Sequence, residues 1–87
     1  MISGVTRSGF AFEVDEGIAN DMELFEALCD LDNGDATAVV PVVRAVLGGQ
    51  KKALYDHLRN EDGRVPVNAV VNEITDIFTT IKDGKKS

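Results

Sequence analysis

Eighty-seven residues with a formal charge of −6 and a 44% apolar share make one domain's length of chain, too apolar for a disordered segment. Tryptophan is absent, so aliphatic side chains must fill the core, and the single Cys29 excludes an internal disulfide and a thiolate zinc centre. No stretch approaches the roughly 18 apolar residues that span a bilayer, and the opening Met-Ile-Ser-Gly-Val-Thr-Arg has no secretory core, so a soluble, cytoplasmic chain without membrane contact is expected.

The charge is uneven. Residues 1–35 hold nine acids against Arg7, a balance of −8, and residues 36–87 hold eight bases against six acids, a balance of +2. An acidic front half is repelled by phosphates, which argues against nucleic acid as a partner. It suits a protein with a basic face, or contacts in which the acidic front of one copy meets the basic rear of another; a homo-oligomer is expected.

Residues 1–14 read as a β-hairpin. Ile2 and Val5 precede a turn at Thr6-Arg7-Ser8-Gly9, and Phe10, Phe12 and Val14 then alternate with Ala11 and Glu13, the period of a half-buried strand. A lone hairpin is marginal, so this one must lie on helices or pair with another copy. A first helix is predicted over 20–31, with Asn20 as N-cap and Glu23 completing a capping box. Its apolar face is read as Met22, Phe25, Leu28 and Cys29, widened by Leu24 and Leu31, which makes Cys29 a buried, inert thiol.

A second helix, 36–47, is apolar almost all round, with Arg44 its only charge; a helix without a polar side belongs at the centre of a core. Pro41 is tolerable there only near the first turn or at a bend. After Gly48-Gly49, a third helix over 50–59 carries a narrow stripe of Leu54 and Leu58. The fourth, 66–82, opens at Pro66 and repeats Val67, Val70, Val71, Ile74, Ile77, Phe78 and Ile81, with Gly84 as its stop and Lys85-Lys86-Ser87 as a frayed tail. The expected fold is therefore mainly α: residues 1–87 as a single small four-helix domain preceded by a short N-terminal β-hairpin.

Catalytic and metal chemistry find little support. From Asp30 the sixth and twelfth positions of a calcium loop fall on Asp35 and Pro41, and from Asn60 the twelfth falls on Val71, so neither run has the ligands of an EF-hand. His57, the only histidine, lies on a polar helical face with no partner for proton transfer in sight. Gly48-Gly49-Gln50-Lys51-Lys52 lacks the spacing of a P-loop. No enzyme activity, cofactor or metal is expected.

The segment Leu54–Phe78 is the most specific. It joins Tyr55-x-x-Leu58-Arg59, the run Glu61-Asp62-Gly63-Arg64-Val65-Pro66-Val67 and a Val/Ile-rich helix ending in Ile77-Phe78. This wording resembles the tail assembly chaperones of long-tailed (siphovirus-type) phages and prophages of Gram-positive bacteria, and the likeness runs loosely back to the acidic helix near Asn20. The resemblance implies a non-catalytic protein of the host cytoplasm, absent from the mature virion, that binds the tape measure protein and helps recruit tail tube protein. It also implies that ribosomal slippage near Lys85-Lys86 yields a longer product. The loop that mixes charges around Gly63 and the helix end before it are the candidate partner-binding set: Tyr55, Leu58, Arg59, Glu61, Asp62, Arg64 and Val65. The alternative is a small structural or head–tail connector subunit that stays in the particle.

Overall fold

The computed structural model describes residues 1–83. Two strands, β1 (Ile2–Val5) and β2 (Ala11–Val14), precede four helices: α1 (Met22–Asp32), α2 (Val39–Leu47), α3 (Lys51–Leu58) and α4 (Val67–Asp83). The mainly helical fold with its N-terminal hairpin is as the sequence pattern predicts. The Gly84 stop and the Lys85-Lys86 tail lie outside the described residues.

The hairpin is antiparallel, pairing Ile2 with Val14 and Gly4 with Phe12. Its turn closes with the Thr6 N–H donating to the Phe10 carbonyl (2.9 Å), and Gly9 supplies the left-handed residue at φ 94°. Phe10, Phe12 and Val14 are buried, so the alternation in β2 puts its apolar set on the helices. Gly4 is what lets the sheet come this close: a Cβ there would lie 3.0 Å from both Phe12 Cζ and Thr80 Cγ2 of α4.

Helix α1 starts one residue later than the Asn20 cap predicts. A short 3-10 turn occupies Glu16–Asn20, and Asp21 is the N-cap, accepting from the backbone N–H of Glu23 and Leu24 (3.0 and 3.3 Å). Aspartate brings a full charge to the positive end of the helix, which Asn20 would not. The second predicted helix begins as a 3-10 turn at Ala36–Ala38, capped by Asp35, and becomes α-helical at Val39. Pro41 therefore falls in the first α-helical turn, where its missing N–H has no carbonyl to lose.

Helix α2 sits at the centre, packing against α1, β2, α3 and α4. Five of its nine residues (Val39, Val42, Val43, Val46 and Leu47) are buried, while Val40 and Pro41 reach the surface, so it is apolar all round but not covered all round. Gly48 ends it at φ 50°, and after one 3-10 turn α3 brings Leu54 into the core with no exposed surface. Helix α4 begins at Val67, one residue past Pro66, whose carbonyl accepts the Val70 N–H (3.2 Å). Val70, Ile74, Ile77 and Ile81 are buried, Val71 and Phe78 half-buried, and Val67, predicted to open the stripe, is 55% exposed because it precedes the turn that meets the core.

Replacing Val43 with Asp is expected to remove the cooperative thermal transition or lower its midpoint by more than about 15 °C, since an unpaired charge in this core costs several kcal/mol and about 1 kcal/mol moves a domain of this size by 4–8 °C. Circular dichroism melting checks this; an unchanged midpoint contradicts the placement of α2.

Candidate partner-binding surface

The apolar residues of α1 divide into two rows. Leu24, Ala27, Leu28 and Leu31, at i, i+3, i+4 and i+7, face the core, with Leu24 buried and the others half-buried. Met22, Phe25 and Cys29 do not. Met22 is 66% and Phe25 58% exposed, and Cys29 is a free, exposed thiol, which corrects the expectation that they line the interior. The reason is geometric: apolar positions 22, 24, 25, 28, 29 and 31 span more of the helix circumference than α2 and α4 can cover.

Between α1 and α4 runs an open groove of about 420 Å³. Leu28, Leu31 and Asp32 form one wall, Val71, Thr75 and Phe78 the other, and buried Ile74 the floor. Phe25 lies three residues before Leu28, and Cys29 three before Asp32, so the exposed row adjoins the groove on the helix surface. Helix α1 carries Glu23, Glu26, Asp30, Asp32 and no base. An apolar groove and row on an acidic helix can hold an amphipathic segment with basic flanks.

The residues predicted as partner-binding form an ordered corner. Tyr55, Leu58 and Val65 are half-buried and pack on the core. Arg59 donates from Nη1 to the Gly63 carbonyl (2.9 Å) and from Nη2 to Asp56 Oδ1 (3.1 Å). Asn60 Oδ1 accepts from the N–H of Asp62 and of Arg64 (3.0 and 3.1 Å), so one asparagine shapes the loop. Arg59, Glu61, Asp62 and Arg64 are exposed.

A second constellation escaped the sequence pattern. Glu73 of α4 is buried at 4% exposure, and its Oε1 accepts from the hydroxyls of Thr6 (2.7 Å) and Ser8 (2.9 Å) in the hairpin turn. Thr6 Oγ1 in turn accepts the Phe10 N–H (3.2 Å). Beside it, Asp76 accepts the Arg7 N–H (3.1 Å) and lies 3.6 Å from Arg7 Nε. Among the described residues Glu73 meets no cation; two hydroxyls replace its water. The signal was available: position 73 is three past Val70 and four before Ile77, on the buried face of α4.

His57 is exposed but not partnerless. Its Nε2 lies 3.1 Å from Ser8 Oγ and 3.0 Å from the Ser8 carbonyl, and its ring centroid is 5.8 Å from that of Phe10. A carbonyl only accepts, so Nε2 carries the hydrogen and faces Ser8 as a donor. Ser8 gives its own proton to Glu73, and the Glu73 contacts are with hydroxyls, not with the imidazole. A nucleophile–base pair has the opposite polarity, with an acceptor nitrogen toward the hydroxyl and the acid on the other nitrogen. The cluster is built as a clamp. No group of His, Cys, Asp and Glu among the described residues converges on a metal position, and the chain matches no family model, no curated protein and no solved structure.

Glu73→Ala is expected to lose about 2–4 kcal/mol, from two hydrogen bonds to a charged acceptor and a stranded Thr6 hydroxyl. Glu73→Gln, which keeps an acceptor for both hydroxyls, should retain most of that stability. Urea denaturation measures both; a Glu73→Ala loss below about 0.5 kcal/mol contradicts the clamp.

Proposed function

We propose that this chain is a non-catalytic phage tail assembly chaperone that binds the tape measure protein, helps recruit tail tube subunits in the host cytoplasm and is left out of the finished particle. The observation that supports it most is the row of Met22, Phe25 and Cys29 exposed on α1 beside the α1–α4 groove. A stable chain of this size gains nothing from leaving a phenylalanine 58% exposed next to a groove, unless a partner covers it. The resemblance in Leu54–Phe78 supplies the partner's identity, and the acidic α1 supplies its chemistry: apolar contact area with carboxylates alongside, suited to many weak, reversible contacts along a repetitive helical protein.

The rival, a connector retained in the virion, also presents apolar contact area, and mass spectrometry of purified particles separates the two. In co-expression, the wild-type chain is expected to keep tape measure protein in the soluble fraction. Phe25→Glu should lose that effect while melting within a few degrees of wild type, because the side chain packs on little. Failure of the wild type to solubilise any tape measure protein contradicts the chaperone role; full retention by Phe25→Glu moves the contact away from α1.

A further inference from the structure

The sheet of this protein has two edges, and they are treated differently. The bond from the Thr6 N–H to the Phe10 carbonyl fixes the phase of the hairpin. Pairs alternate between hydrogen-bonded and non-bonded in an antiparallel ladder, so Gly4–Phe12 and Ile2–Val14 face inward like Thr6–Phe10. The backbone groups of Ser3 and Val5 on β1, and of Ala11 and Glu13 on β2, therefore point out of the sheet. On the β2 side, Gln50 stands in for a third strand. Its carboxamide oxygen accepts the Glu13 N–H (2.9 Å) and its NH₂ donates to the Glu13 carbonyl.

The β1 side has no such cover. Among the described residues, no backbone bond from outside the hairpin reaches Ser3 or Val5, both residues are exposed, and Val5 is 64% exposed. Ile2–Val5 is short, but it contains no charge, no proline and no bulge, three of the devices that keep an open edge from pairing. We propose that this edge is where two copies of the chain join, β1 against β1 antiparallel, to make one four-stranded sheet.

What selects a second copy as the occupant is the symmetry of the edge itself. Only two residues point outward, and they flank Gly4. A two-fold axis at Gly4 sets Ser3 of one copy opposite Val5 of the other, and both such pairs fall in the hydrogen-bonded phase. All four outward N–H groups and carbonyls are then satisfied at once, with Val5 covered by its new neighbour. Strand β1 packs chiefly on β2 and α4 and not on the acidic α1, and it carries no charge of its own to oppose contact between copies of a chain whose net charge is −6. The pairing differs from the head-to-tail electrostatic association expected from the charge distribution and does not depend on the chaperone role.

Sedimentation of the full chain tests it with three variants. Ser3→Pro removes an outward N–H without touching a bond of the hairpin, and Val5→Lys places a charge on the open edge. Phe25→Glu serves as the control on the α1 surface. The wild type is expected to be a dimer at high micromolar concentration and to remain one in added salt. Ser3→Pro should weaken the dimer by about tenfold or more, since symmetry deletes two bonds together. Val5→Lys should also dissociate it, with unchanged melting of the monomer, and Phe25→Glu should leave it intact. A wild-type monomer at that concentration overturns the proposal. So does a dimer that salt dissolves, or one that survives both β1 variants or yields only to Phe25→Glu.

Discussion

The Glu73 carboxylate, held by the hydroxyls of Thr6 and Ser8, is the contact on which the placement of the hairpin depends. A two-stranded sheet is marginal in water. Here it covers α2 and α4 with Phe10, Phe12 and Val14, and those three leave solvent only if the turn stays down on α4. A hairpin that lifts breaks both hydroxyl bonds to Glu73, which water then replaces, and returns its own aromatic side chains to solvent. Gln50 fastens the other strand edge through the Glu13 backbone, and Gly4 removes the side chain that would hold sheet and helix apart. Polar clamps set the position of the hairpin; the apolar contacts supply most of the stabilisation.

This division explains what the sequence disclosed. Alternation in Phe10–Val14 and the repeat of Val70, Ile74, Ile77 and Ile81 are consequences of burial on one face, and they located β2 and α4 to within a residue or two. Helix ends were legible where one residue type does the work: Gly48 at positive φ, and Pro66 just ahead of α4. The start of α1 was not, because Asn20 and Asp21 are both competent caps and only the preceding 3-10 turn decides between them. Which apolar row of α1 is covered was equally hidden: periodicity identifies a face, but the neighbours decide how much of it meets protein.

Which side chains the candidate surfaces leave exposed was hidden for the same reason. Leu58 and Val65 looked available for a partner, yet they brace the corner that Asn60 organises. Phe25 and Cys29 looked buried, yet they stand in solvent beside the groove. His57 and Ser8 are far apart in sequence and meet only because the hairpin turn folds back over α3 and α4. Acidic α1 next to an apolar groove and an uncharged strand edge are two surfaces of different chemistry, and the proposed contacts with a basic amphipathic partner and with a second copy rest on one each.

The thiol of Cys29 reports on the central claim without any substitution, because it is the only one in the chain and stands in the exposed row of α1. Alkylation of the native chain followed by mass spectrometry is expected to be rapid for the protein alone, close to its rate in urea, and strongly slowed once tape measure protein is bound. A thiol protected in the free chain, or one that reacts equally fast in the complex, would contradict the assignment of this surface to the partner.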